Sequence, residues 1–349
     1  MAFSSIAKNL NDKIILSCIK HTNIFTKQEI AKQSELSFPT ASKIIDEFVE
    51  RKIVLSLGIE ENSQGGRKAA VFRLNVDFAH ALILFLQEQN IYYQIVNALG
   101  EPILQYKKEY KLTVTLTNIY ELVDEILQQD SLIGAISIGI PGSVSNGKIY
   151  DIDGYDSLKD CELQMELSKH FSLPVNVCNN MNAIAIGMAD KHSCTSENLV
   201  CLHLSQTGPG CGAIVNGKAV DGFCGFHGEV GFIPFYNEKT LQDIALSGFQ
   251  NVNLGEYLGK IAISLITILN PRNMILYIEQ DETEWEMVME QYCKKYLPER
   301  VLPNFIYSNT YKEDYFYGLA ILGTTLLYEE LGQATCLHLN STMTANFRD

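Results

Sequence analysis

Ser37, Thr40, Ser42 and Lys43 fall within one short stretch, opposite an apolar stripe of Ile44, Ile45, Phe48 and Val49. Short hydroxyls and one ammonium on the free face of a helix suit the major groove of DNA, where they reach base edges and phosphates. Further on, Gly65-Gly66-Arg67-Lys68 joins a backbone that can approach a phosphate closely to two cations, which would add salt-dependent attraction or a minor-groove contact. A solvated face on a small helical scaffold is the alternative for both. Asn179 and Asn180 can each donate and accept, as vicinal hydroxyls require, or can cap the helix that follows. The run Thr207-Gly208-Pro209-Gly210-Cys211-Gly212 could bring backbone to a phosphate or could be a tight turn.

These residues need elements to hold them. Asn11 or Asp12 can cap a helix with Ile14, Ile15, Cys18 and Ile19 on one face, and Thr26 with Glu29 forms a capping box for a second. Ser37 caps a third, with Pro39 in its first turn. Two β-rich runs follow at 53–57 and 69–74, so the head reads as a winged helix-turn-helix. Beyond Asn75 the pattern changes to strands at 81–87, 91–97 and 102–110, a helix at 116–129 and a strand at 133–140. A helix at 158–170 and a strand at 174–178 end this half, and a helix starts from Asn180. Strands at 198–205, 211–215 and 218–220 open a second series, with Asn216-Gly217 as a type I′ turn. Helices at 241–247 and 254–269, strands at 274–279 and 304–307, and a closing helix from Lys312 complete it. Two similar halves in tandem predict an internal duplication with a cleft between lobes.

The chain has 349 residues, 46% of them hydrophobic and 19% charged, with a net charge of −14. That is enough for two or three full cores and too apolar for a disordered protein. The acidity argues against a coat for nucleic acid or for an anionic membrane. Yet residues 1–76 hold eleven Lys and Arg against eight Asp and Glu, a net +3, which leaves the remainder at −17. A small basic head on an acidic body predicts two parts with different partners. Nine scattered Cys with no Cys-x-x-Cys pair predict neither a disulfide framework nor a zinc knuckle, hence a reduced, cytoplasmic protein. Residues 1–12 lack a leader pattern and the longest apolar stretch, near 261–269, is too short for a bilayer, so no membrane partner is expected.

Residues 22–75, ending in Gly65-Gly66-Arg67-Lys68 and Leu74-Asn75, resemble the DNA-binding head of ROK-family (repressor, ORF, kinase) transcriptional regulators. The body continues the resemblance. Ile138-Gly139-Ile140-Pro141-Gly142 is similar to the family's Gly-x-Pro-Gly strand end, and Asp153-Gly154-Tyr155 to its Pro-Gly-Trp loop. The segment from Asn179 to Ala183 resembles Glu-Asn-Asp-x-Asn-Ala, the glycine run resembles the family's glycine-rich loop, and His227-Gly228-Glu229-Val230-Gly231 resembles Gly-Glu-Ile-Gly-His. Tyr317-Gly318-Leu319-Ala320 fits the closing helix. The resemblance implies an α/β fold of the actin-like, ribonuclease H-like, two-lobed sugar-kinase type behind a winged head. It divides the chain into a DNA-binding domain at 1–76, a first lobe at 77–178 closed by a C-terminal helix at about 330–349, and a larger second lobe at 179–329. Through the same matches a sugar would meet Asn179, Asn180, Glu229, His227, Asp243 and Gly142, with Gln242 in place of Asp243 if the register slips by one.

The departures from the family pattern decide between its kinases and its regulators. Asn180 stands where the kinases carry the Asp that takes the sugar hydroxyl's proton, and an amide cannot do that near neutral pH. The first phosphate hairpin, Asp-x-Gly-Gly-Thr, aligns with Phe85-Leu86-Gln87-Glu88-Gln89: its glycines are lost, and Glu88 would repel a phosphate. The family's zinc His is Phe232, and residues 234–246 contain no Cys, so neither zinc nor ATP is expected as a cofactor. Packing of Phe232, Phe235 and Tyr236 against the next helix would replace the metal. The expectation is therefore a non-enzymatic, sugar-responsive repressor of carbohydrate-utilisation genes. It would bind an operator as a homodimer or dimer of dimers, with a sugar or sugar derivative as effector. An active or residual ATP-dependent sugar kinase with a DNA-binding head is one alternative, and a ligand-blind DNA-binding protein is another.

Overall fold

The computed structural model describes residues 2–60, 69–110, 113–152, 154–193, 197–236, 238–279 and 284–332. The head comprises α1 (Ala2–Lys20), β1 (Phe25–Thr26), α2 (Lys27–Gln33), α3 (Phe38–Glu50), β2 (Val54–Glu60) and β3 (Ala69–Leu74). The capping box of Thr26 and Glu29 starts α2 and the Ser37 cap starts α3, each as its sequence predicts. The first helix differs. It runs from Ala2 straight through Asn11 and Asp12, because the preceding residues contain neither Pro nor Gly to stop it. β1 adds a third strand beside the predicted hairpin, in the order β1-β3-β2.

The first lobe holds β4 (His80–Gln87), β5 (Asn90–Val96), β6 (Pro102–Glu109), α4 (Leu116–Gln129), β7 (Ile133–Ile140), β8 (Gly142–Ser145), β9 (Lys148–Ile152), α5 (Leu163–Phe171) and β10 (Val175–Asn179). The second begins with α6 (Asn180–Lys191), β11 (Leu199–Ser205), β12 (Gly208–Val215) and β13 (Lys218–Ala219). Then come β14 (Pro234–Tyr236), β15 (Lys239–Thr240), α7 (Leu241–Leu246), α8 (Leu254–Leu269), β16 (Asn273–Ile278), α9 (Trp285–Tyr296), β17 (Asn304–Tyr307) and α10 (Tyr311–Gly332). The two five-stranded sheets, β6-β5-β4-β7-β10 and β13-β12-β11-β16-β17, share one pattern: three antiparallel strands followed by two parallel ones. The tandem halves of the sequence are thus one topology used twice. Asn216 and Gly217 both have positive φ, 50° and 74°, as a type I′ turn requires.

The layers follow from apolar faces. α4 and α5 cover the outer side of the first sheet, and α7, α8 and α9 that of the second. α6 and α10 fill the space between the sheets, crossing where a Cβ on Gly318 would lie 1.9 Å from the Ala183 carbonyl oxygen. The closing helix that starts near Lys312 is described as Tyr311–Gly332, and the helix expected at about 330–349 lies, beyond Gly332, outside the described residues. The Tyr311–Gly332 helix does not serve the first lobe alone: its stripe of Tyr315, Leu319 and Leu322 is buried between both sheets. Its far end leaves the body altogether. Tyr328 and Leu331, with Phe78, Ala98 and Leu99, join the hydrophobic core of the head. Among the described residues no helix is long and apolar enough to cross a membrane.

Candidate ligand cleft and nucleic-acid interface

A cavity of about 500 Å³ opens between the lobes, within the range of small-molecule sites. Asn179 and Asn180 reach it because β10 passes directly into α6 at its floor. Asn179 is held at both ends: its Nδ2 donates to the Gly142 carbonyl (2.9 Å) and its Oδ1 accepts from Asn182 N–H (3.1 Å). Helix capping is thus its first task, and it also ties α6 to the first lobe. Asn180 Nδ2 donates to Tyr311 Oη (3.1 Å), placing the amide where α10 begins. Tyr311 stacks on His203 with ring centroids 4.0 Å apart, and His203 Nε2 lies 3.0 Å from Glu279 Oε1. That contact holds the Glu279 carboxyl below its ordinary range, against the opposing effect of burial.

Gly142 belongs to the same wall, and no larger residue fits there: a Cβ would come within 2.3 Å of the Asp151 carbonyl oxygen. Glu229 lines the opposite wall. His227 does not line the cavity; its Nδ1 is buried without a hydrogen-bond partner, and desolvation lowers its pKa, which favours the neutral ring. Asp243 also faces away. It completes a capping box with Thr240 at the start of α7, and those hydrogen bonds lower its pKa. The cleft-facing residue of that turn is Gln242, whose Nε2 donates to the Thr207 carbonyl (3.3 Å). Thr-x-x-Asp is a capping signature that the sequence displayed, and it could have assigned Asp243 correctly.

The glycine run is not a loop. From Gly208 it is β12, paired with β11 throughout, and only Gln206 and Thr207 turn. Gly212 is required because its Cβ would lie 2.1 Å from the Met181 carbonyl oxygen, where α6 crosses the sheet. At the other hairpin Phe85 is fully buried between Tyr315 (4.4 Å) and Tyr92 (4.9 Å), in room left by Gly139 beside Tyr315. Glu88 takes a left-handed turn at φ 56°, and its carbonyl accepts from the Tyr155 hydroxyl. Burial raises the pKa of that phenol, so it remains a donor. Asp153, beside this wall in sequence, lies outside the described residues.

Phe232, in the family's zinc position, turns to Phe226 (5.2 Å) rather than to α8. Of the three aromatic residues expected to pack on the next helix, Phe235 meets α8, one helix further on, through Tyr257 (5.5 Å) and Lys260 Nζ (4.2 Å from its ring), while Tyr236 is exposed. Among the described residues no group of three or more His, Cys, Asp or Glu could hold a metal.

On the head, the start of α3 is open. Ser37 and Lys43 are exposed and Thr40 is half-buried, but the three hydroxyls are already engaged, those of Ser37 and Thr40 with each other (2.8 Å). Ser37 Oγ accepts from Thr40 N–H (3.3 Å) as the cap, and Ser42 Oγ accepts from Lys27 Nζ (3.1 Å), which also pairs with Asp46. Gly66, Arg67 and Lys68 lie outside the described residues.

Fold and cleft together define a two-lobed body of the sugar-kinase type joined to a winged helix-turn-helix head. The sequence signature of the ROK family matches residues 103–241. It is 25% identical over 244 residues to the xylose repressor of Caldicellulosiruptor bescii; the match covers 66% of this chain and 60% of that protein, less than two thirds of the relative's length. Among solved structures it resembles a ROK-family transcriptional regulator described as a homologue of the Escherichia coli MLC protein, at TM-score 0.74 and 20% identity over 94% of this chain and 98% of that one. A ROK-family glucokinase from Streptomyces griseus, solved with glucose and AMPPNP, matches at TM-score 0.56 and 15% identity over 71% of this chain and all of its own. That kinase likeness concerns the fold of the body.

Proposed function

We propose that the chain is a transcriptional regulator, a repressor of carbohydrate-utilisation genes, in which a sugar held between the lobes changes how the head meets its operator. One observation carries this reading: a single helix, α10, lines the cleft with Tyr311 and Tyr315 and enters the head's core with Tyr328. A change in lobe closure thus has a rigid route to the DNA-reading surface. The open start of α3, the Arg67 and Lys68 of the wing sequence, and the likeness to a named xylose repressor support the same conclusion. Two copies would present two heads to a pseudo-palindromic site. A sugar can shift operator affinity only by its differential affinity for the two states, about 5–150-fold. Footprinting of DNA around the gene, with and without xylose, glucose and N-acetylglucosamine, tests this. A protected site released by one sugar is expected; a site that ignores every sugar would favour a ligand-blind regulator, and no protected site would end the reading.

The body acts without phosphoryl transfer. Asn180 supplies no base, Phe85 occupies the first phosphate hairpin in a closed aromatic stack, and Glu88 carries negative charge to the cleft's edge. Asn180→Asp restores a carboxylate but neither glycine hairpin nor charge balance. Glucose-dependent ADP release from ATP is expected to stay at background in the wild type and in N180D. Steady turnover in the wild type would revive the kinase alternative.

A further inference from the structure

We propose that the cleft takes an unphosphorylated, neutral saccharide and rejects its phosphate ester; this deepens the sugar-binding reading above and rests on it. Among the described residues, four carboxylates line the cavity, Glu88, Asp151, Glu229 and Glu279, and no Lys or Arg does. Asp151 has its cation outside the lining, Lys159 Nζ at 2.8 Å, and Glu279 is met by His203. A phosphoryl group brings a charge between about −1.5 and −2 at neutral pH and needs cations or free N–H donors to replace its water.

Several backbone donors beside the cavity are already engaged. The first turn of α6 is capped by Asn179, β12 is committed to β11, and Cys211 N–H on its other side donates to the Gly228 carbonyl (2.8 Å). Glu88 cannot swing away as a unit, because its turn is fastened through its carbonyl to Tyr155. The remaining wall is aromatic. Phe226 and Phe232 line the cavity with 48% and 53% of their surface still exposed, offering ring faces to the C–H face of a pyranose. Carboxylates and carboxamides for hydroxyls, a ring face for C–H bonds and, among the described residues, no lysine or arginine to balance a phosphate together select a neutral sugar.

Calorimetric titration of the full chain separates the possibilities. The probes are xylose, glucose, N-acetylglucosamine, maltose and cellobiose, each with its terminal phosphate ester. At least one neutral sugar is expected to bind, its ester at least about 100-fold more weakly. Glu88→Gln should narrow that gap, and Phe232→Ala should weaken the neutral sugar about tenfold while leaving the ligand-free melting temperature unchanged. An ester that binds as tightly as its parent overturns the selectivity while leaving the sugar cleft intact. If neither class binds, the sugar-binding reading falls with it.

Discussion

Replacing Tyr328 by Ala is expected to abolish the sugar response while leaving operator affinity within a few-fold of the wild type. Tyr328 is buried where α10 meets the head. Its hydroxyl donates to the Ala98 carbonyl (2.7 Å), its ring meets Phe78 edge-on at 6.1 Å, and Lys20 Nζ lies 5.2 Å from its centroid. Burial there lowers the Lys20 pKa. Truncating a buried aromatic residue costs about 3–5 kcal/mol, here taken from the contact that makes head and body move together. The head retains α3 and its own core of Ile15, Ile30, Ile45 and Phe48, so DNA binding persists. Anisotropy titrations with operator DNA, with and without the effector sugar, measure this: a wild-type ratio in the range of about 5–150 should fall towards one. Tyr328→Phe keeps the ring and should keep most of the response. A Y328A protein that releases DNA as the wild type does would remove α10 from the coupling.

Asp314→Ala is expected to cost about 3 kcal/mol of stability, the largest single loss foreseen within the body. Asp314 is 1% exposed and joins three elements near the start of α10. Its Oδ2 accepts from Tyr277 Oη on β16 (2.9 Å) and Thr310 Oγ1 (2.8 Å), and its Oδ1 pairs with Lys191 of α6. Removing the carboxylate leaves the Tyr277 hydroxyl buried without this acceptor, whereas the Lys191 side chain, 41% exposed, can regain water. That places the loss at the lower end of the range for broken buried pairs. Asp314→Asn keeps an acceptor and should lose about half as much. Urea unfolding followed through Trp285, the chain's one tryptophan and a residue of the second lobe, reads both values. An Ala variant as stable as the wild type would mean that packing alone holds α10.

Much of this was legible locally. Thr26 with Glu29 and Ser37 with Pro39 define two helix starts through bonds that close within one turn. Strand alternation and the Asn216-Gly217 turn revealed the duplicated halves. Signals that depended on what lay across the chain were less secure. Asp12 resembled a cap but is interior to α1, and the glycine run resembled a phosphate loop but is a strand thinned for α6 to cross. Asp243 and Gln242 are adjacent and both polar; only the phase of α7 on the body decides that Gln242 meets the cleft.

By itself the sequence determined the classes of element, the basic head and acidic body, and the loss of the Asp at 180, since these reside in residue identity and short-range periodicity. Tertiary structure alone decided that no described lysine or arginine faces the cavity, that Phe85 closes one hairpin with Tyr315, and that α10 reaches the head. The reason is geometric: a side chain's surroundings come from segments hundreds of residues apart, as when Tyr328 meets Ala98, and no local pattern encodes that distance.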